Sequence, residues 1–484
     1  MYGRAAGKTC DQPGMHGRSA GKTGGQPQNV KRMKKGIAIL VIGFLTIAAL
    51  VSCCTKGGTG GVHNATSDDG RTVENSLTIN GTTITDNTTG PAENGQTSTA
   101  GATTVTGSHR DDYDSMIGKI KAMTLDEKIG QMFIVGFKGY ALNDSIKSMI
   151  QDYHIGGVIL FGNNVKNADQ LLKLINSIKK ANSGNSTPLF ISVDEEGGRI
   201  SRMPGELHKF PSNEEIGKVN NGDFSYSIGS IIAEEISAFG FNMDFAPVLD
   251  IFSNPENTVI ADRSFGTEPQ IVSKLGVQTM NGIRTKGVIP VVKHFPGHGD
   301  TSVDSHVGLP SVGYDMDRLE KFEFIPFEAA INSQADAVMI AHILMQRIDP
   351  KYPASLSKTI ITDILREKMN FSGVVITDDM TMDAIDKNYA IGSAVTRSVS
   401  AGSDIILVCH GYNNQLDAIS ALKTAVINGT VPEKRIDESV LRILKLKSKY
   451  GLKDDQTPSV NVDEINKKID EVLSKWYNVS AYGP

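Results

Sequence analysis

Cysteine is scarce in this chain. Its 484 residues hold four, at positions 10, 53, 54 and 409, and only Cys409 falls where the sequence has the texture of a folded domain. A single such thiol excludes a disulfide framework. There is no basic stripe and no basic patch interleaved with aromatics, and the net charge is −5, so no nucleic-acid partner is expected. Large apolar side chains are almost missing from 55–108, a run of Thr, Gly, Asn and Ser. Such a segment cannot bury enough surface to offset its ordering entropy and is expected to be a flexible spacer. Nor is there a phosphate-binding loop: the repeat GRAAGKTCDQP (3–13) and GRSAGKTGGQP (17–27) has Tyr2 and His16 where a Walker A loop needs glycine.

One long apolar run exists. Residues 36–51 follow Lys34 and Lys35 and lead into small residues and a cysteine, which is the order of a secretory signal. The run is shorter than the roughly 20 residues of a spanning helix. Leu50-Val51-Ser52-Cys53 resembles the lipobox of bacterial lipoproteins, which implies cleavage before Cys53 and a lipid on that residue. An uncleaved signal anchor is the alternative. Both put the remainder outside the cytoplasm and tethered to a membrane. The expected organisation is therefore a repeat over 1–32 (Met33 offers a better start than Met1), a signal over 33–53 and a spacer over 54–109. A folded domain over 110–455 and a tail over 456–484 follow, the tail carrying an amphipathic stretch at 462–476.

From residue 110 the pattern alternates. Short β-branched runs recur at 129–137, 155–161, 187–194, 242–250, 287–294, 335–342, 371–379 and 402–409. Helix-like stretches such as 168–183 and 318–334 lie between them. Eight near-continuous apolar strands alternating with helices predict a parallel (β/α)8 TIM barrel, an α/β fold, as one large domain. An open doubly wound sheet is the alternative, but no GxGxxG follows the first strand. Polar residues gather where the strands finish: Asp194, Asp250, Lys293 with His294, His342, and Asp378 with Asp379. Barrel enzymes build their sites from the C-terminal ends of several strands.

The densest chemistry lies in KHFPGHGDTSVDSH, Lys293 to His306. In an extended segment residues two apart face the same side, so Asp304 can hold the His306 imidazole. That pairing makes a general acid/base with its orienting partner. His294 and His298 are four apart, but Pro296 and two glycines forbid the helix on which such a pair would clasp zinc. No metal and no cofactor are expected. Gly297 and Gly299 are expected to supply turns.

SVDEEGGRISR (192–202), APVLDI (246–251), DRSFG (262–266), the 293–306 stretch and VVITDDMTMDAI (374–385) resemble glycoside hydrolase family 3. Within it they are similar to the bacterial β-N-acetylhexosaminidases of cell-wall recycling. The resemblance implies that Asp378 is the nucleophile, His306 the acid/base and Asp304 its dyad partner. It also implies that Asp194, Arg202, Arg263, Lys293 and His294 bind the sugar. The partner would be a carbohydrate ending in β-linked N-acetylglucosamine. Other members of the family draw their acid from a later domain. Only about thirty residues follow Gly451 here, so an acid inside the barrel is expected. Phosphate in place of water as acceptor, and a lipid-anchored glycan-binding barrel without activity, are the alternatives.

Overall fold

The computed structural model describes residues 107–301 and 308–476. Ten strands occur there: β1 Phe133–Gly136, β2 Gly157–Ile159, β3 Phe190–Val193, β4 Met243–Asp244, β5 Ile289–Phe295, β6 Ser311–Val312, β7 Ala337–Ile340, β8 Leu344–Met345, β9 Val374–Asp379 and β10 Ile405–Val408. Eight of them close into a barrel in the order β1-β10-β9-β7-β5-β4-β3-β2. All neighbours are parallel, and the ring closes where Ile134 pairs with Leu407. The fold is a (β/α)8 barrel. Each of the eight expected runs carries one barrel strand; β6 and β8 pair with each other outside it.

The strands read as continuous apolar runs because both faces are covered, the inner by the barrel core and the outer by helices. β5 is buried at all seven positions. The helices are amphipathic by contrast. In Ala168–Ala181, Leu171, Leu174, Ile175 and Ile178 are buried at helical spacing, and the Asn167 side chain caps the first turn by accepting from the Gln170 amide at 2.9 Å.

Three elements depart from the expectation. The run 129–137 yields only a four-residue strand, because Thr124 and Glu127 form a capping box that starts a helix over Leu125–Gln131. The run 242–250 keeps two ladder residues, since Pro247 has no amide to donate. The stretch 318–334 splits into Met316–Lys321 and Phe324–Asn332. Pro326 explains the break: it is tolerated in a first turn, but inside a continuous helix it would clash with the Phe322 carbonyl.

At the N-terminal end of the barrel, buried Asp404 accepts hydrogen bonds from Arg366, Arg435 and Arg442, from the Ser439 hydroxyl and from the Val375 amide. Burial opposes the Asp404 charge, but the three guanidiniums hold its carboxyl far below the usual range. The last described helix, Val462–Trp476, buries Ile465 and Ile469. Asn466 accepts from the His208 amide at 2.8 Å and donates to the Glu206 carbonyl at 2.9 Å, so it braces the loop that follows Arg202.

Candidate active site

The C-terminal strand ends surround a cavity of about 360 Å³. Asp194, Arg202, Arg263, Lys293, His294 and Asp378, separated by up to 184 positions in sequence, all line it. Asp304 and His306 lie outside the described residues.

One wall is built from β3 and β5. After Val193 the chain runs Asp194-Glu195-Glu196 into Gly197 and Gly198, whose positive φ values of 82° and 54° reverse its direction; side chains with a Cβ are strained there. The turn delivers Glu196 to the cavity with a side chain only 1% exposed. Lys293 donates to Asp194 Oδ1 at 2.6 Å and to Glu196 Oε1 at 2.7 Å. Arg263 donates to both Glu196 oxygens, Nε to Oε2 at 2.8 Å and Nη2 to Oε1 at 2.7 Å. Burial opposes each of these charges, yet Arg263 and Lys293 keep Glu196 ionised well below the usual carboxylate range, and Asp194 and Glu196 raise Lys293. Two acids and two bases thus neutralise one another in a low-dielectric wall, which makes it stiff as well as polar. Arg202 differs. Among the described residues its guanidinium has one hydrogen bond, to the Ser201 carbonyl at 3.4 Å, and the residue lines the cavity.

A second wall comes from the loop after β5. The fully buried Asp250 accepts from His294 Nδ1 at 2.6 Å and from the His298 amide at 2.7 Å. That fixes His294 with its proton on Nδ1, so Nε2 can accept from Arg263 Nη2 at 3.4 Å. Burial raises the Asp250 carboxyl, but His294 and His298 outweigh it and bring it below its ordinary value. His298 is buried and pushed down to about 4; its Nδ1 pairs with Thr301 Oγ1 at 2.8 Å. Asn257 donates to the carbonyls of His298 and Gly299. A side chain at position 299 would meet the Ile251 carbonyl at 1.7 Å, so glycine there permits close backbone approach. Asp300 accepts from the Ser253 hydroxyl at 3.1 Å and from the Tyr314 hydroxyl. The residues on either side of 302–307 are therefore anchored.

The third wall is the end of β9. Strand alternation predicts that only one of Asp378 and Asp379 points into the mouth. Both line the cavity, because the ladder between β9 and β10 is irregular where Asp379 meets Leu407. Their surroundings still separate them. Asp379 is committed: Oδ1 accepts from the amides of Thr381 (3.0 Å) and Cys409 (2.9 Å), and Oδ2 from the Thr381 hydroxyl at 2.6 Å. Asp378 takes one backbone hydrogen bond on Oδ1, from the Asp379 amide at 2.8 Å. Burial raises the Asp378 carboxyl, while His342, His294, the Asp379 amide and Lys293 together bring it below its ordinary value. It is ionised at neutral pH. His342 is buried behind it, taking the Ser355 hydroxyl on Nδ1 at 2.7 Å and donating from Nε2 to the Asp379 carbonyl at 2.9 Å.

Glu196 and the His294-clamping role of Asp250 were not legible as site features in the sequence. Glu196 sits inside a quoted motif, but only the turn at Gly197 and Gly198 shows that it aims at Lys293. Phe161 and His410, with ring centroids 5.4 Å apart, complete the rim; neither stands out in sequence. Among the described residues no cluster of His, Cys, Asp and Glu is arranged to hold a metal ion.

A closed parallel barrel with acids, bases and an ionised carboxylate gathered at its C-terminal mouth is the layout of a barrel enzyme. Residues 124–446 match the Glycosyl hydrolase family 3 N terminal domain, and the chain belongs to glycoside hydrolase family 3. It is similar to Beta-hexosaminidase A of Pseudoalteromonas piscicida, 33% identical over 367 residues; the match covers 68% of this chain and 61% of that protein's length. It is also similar to the Beta-hexosaminidase of Neisseria gonorrhoeae, 34% identical over 304 residues, 61% of this chain and 81% of that one. Among solved structures it resembles a glycoside hydrolase family 3 beta-N-acetylglucosaminidase from Paenibacillus sp. str. FPU-7. That likeness has a TM-score of 0.69 and 38% identity, covering 73% of this chain and 69% of the other.

Proposed function

We propose that this chain is a retaining exo-β-N-acetylhexosaminidase, removing terminal β-linked N-acetylglucosamine from peptidoglycan fragments or chitin-type oligosaccharides. The observation that carries this reading is the ionised Asp378 lining one cavity of about 360 Å³ together with the Asp194–Lys293–Glu196–Arg263 wall and Arg202. The names of the similar proteins supply the sugar.

In the first step an Asp378 oxygen bonds to the anomeric carbon as the glycosidic C–O bond breaks, and the leaving oxygen takes a proton from His306. In the second, neutral His306 takes a proton from water, whose oxygen bonds to the anomeric carbon as the ester to Asp378 breaks. The sugar leaves with its β configuration, and both residues return to their starting states. Asp304 favours the protonated imidazole before the first step. Asp194, Arg202 and Lys293 offer charge-assisted hydrogen bonds to sugar hydroxyls, His294 offers its Nε2, and Arg263 stiffens the wall that presents them. No step needs a cofactor.

Hydrolysis of aryl β-N-acetylglucosaminides tests the reading. His306→Ala should spare aglycones that leave readily as anions and cripple those that need protonation. Equal losses on both would remove His306 from the role of acid. Binding without turnover in the unaltered protein would leave a glycan-binding barrel, and sugar 1-phosphate as the product in phosphate buffer would make the acceptor phosphate.

The lipobox-like Leu50-Val51-Ser52-Cys53 supports a lipid on Cys53 and an extracytoplasmic, membrane-tethered enzyme. Those residues lie outside the described ones; among the described residues no helix is long and apolar enough to cross a membrane. Metabolic labelling with a fatty acid should mark the unaltered protein and not Cys53→Ala; a membrane-bound protein with no label would refute the lipid and leave an uncleaved signal anchor.

A further inference from the structure

Behind the Asp194–Glu196 wall lie three more carboxylates, and these lack cations. Glu195 follows Asp194 directly, Asp244 ends β4, and Glu235 reaches in from the helix Gly222–Phe239; none is more than 1% exposed. Each has one oxygen sealed from solvent without a hydrogen-bond partner among the described residues: Glu195 Oε1, Glu235 Oε2 and Asp244 Oδ2. No salt bridge joins any of them to lysine, arginine or histidine among the described residues, whereas Asp194 and Glu196 both pair with Lys293. The remaining oxygens of two of them tie the group to the site. Asp244 Oδ1 accepts from the Glu195 amide at 3.0 Å, and Glu195 Oε2 accepts from the Arg202 amide at 2.7 Å.

Three unpaired anions in one dry space would cost far more than keeping a proton on some of them. The charged groups facing Glu195 are Arg202 and Lys209 from the following loop, with Glu235 and Asp244 opposite. Asp194 and Lys293 act on Asp244, and the Ser201 hydroxyl favours the Glu195 anion. Burial dominates all three. It pushes Glu235 and Asp244 well up and Glu195 up to about 7, so Glu195 is the member that changes charge near neutrality.

We propose that Glu195 is a positioning residue for Arg202: as a neutral acid within this buried trio it holds the Arg202 backbone so that the guanidinium reaches the cavity, and its ionisation draws that guanidinium back. The long 3.4 Å contact to the Ser201 carbonyl is the guanidinium's hydrogen bond among the described residues, too weak to resist a new anion seven residues back. The proton released goes to solvent. The inference rests on reading Arg202 as a sugar-binding group.

The test compares kcat and KM against pH for the full chain and for Glu195→Gln, which keeps the acceptor oxygen but cannot ionise. The unaltered enzyme should show a KM that rises several-fold as pH passes 7, while the variant's KM stays flat and low. A variant whose KM climbs in step with the unaltered enzyme overturns the proposal. Infrared spectroscopy reads the proton without catalysis: the unaltered protein should carry a carboxylic-acid carbonyl band that fades as pH passes 7 and is missing from Glu195→Gln. Identical spectra for the two proteins overturn the proposal. A protein without glycosidase activity that still shows this band would fail the functional reading, leaving the buried acid established.

Discussion

Arg263 grips Glu196 through two parallel hydrogen bonds, Nε to Oε2 and Nη2 to Oε1, at 2.8 and 2.7 Å. A planar fork meets a planar carboxylate, and Lys293 shares the Oε1 oxygen at 2.7 Å. A lysine at 263 retains the charge and loses the fork. Arg263→Lys should therefore fold, with kcat/KM on an aryl β-N-acetylglucosaminide lowered by about ten- to a hundredfold, the cost of one charge-assisted hydrogen bond. Activity equal to the unaltered enzyme would show that charge alone suffices.

Adjacent aspartates at the end of β9 should respond differently. Asp378→Asn removes the proposed nucleophile and should lower kcat by about a thousandfold or more with little change in melting temperature. Asp379→Asn takes a charged acceptor away from two amides and a hydroxyl, so it should lose on the order of 1–3 kcal/mol of stability. Kinetics and denaturant unfolding on both variants separate chemistry from bracing; the reverse pattern would exchange their assignments.

At the opposite end of the barrel, Asp404→Asn leaves three largely buried guanidiniums without their anion. We expect about 3–5 kcal/mol less stability, with kcat per folded molecule unchanged. The sign in pH follows from its depressed value. The stability it contributes is present above the unfolded carboxylate's value of 3.8 and is lost as pH falls through the lower folded value. Unfolding curves of Asp404→Asn should accordingly flatten in acid relative to the unaltered protein.

Glu195 has the opposite sign. Its carboxyl rises from 4.5 unfolded to about 7 folded, so the native state binds the extra proton between those values. Its contribution is complete below 4.5 and is lost as pH rises to 7, by about 3 kcal/mol at most. Glu195→Gln should narrow the difference in stability between mildly acidic and mildly alkaline solution. An unchanged difference would mean that Glu195 is ionised throughout.

The strands and some of the cavity-lining residues were legible in the sequence for physical reasons. Parallel strands buried on both faces read as apolar runs, and Lys293 and His294 stand out because charge at the end of such a run has to be paid for by function or pairing. Boundaries were less legible. Ile129 looks like strand until the Thr124–Glu127 capping box is weighed against it, and Pro326 divides a stretch whose periodicity alone suggests one helix. Glu196 stayed hidden for another reason: it neighbours Glu195 in sequence, and only the reversal at Gly197 and Gly198 sends one to Lys293 and the other into an unpaired pocket. Contacts of that kind join residues nearly a hundred positions apart, and no local pattern encodes them.

The central claim is that Asp378 forms the covalent bond to the sugar, and trapping tests it most directly. A fluorinated N-acetylglucosamine analogue that forms but slowly releases the glycosyl-enzyme should add one sugar to the protein by mass, and peptide mapping should put it on Asp378. A label on Asp379 or on any other residue, or steady turnover of the analogue's parent substrate by Asp378→Asn, would contradict it.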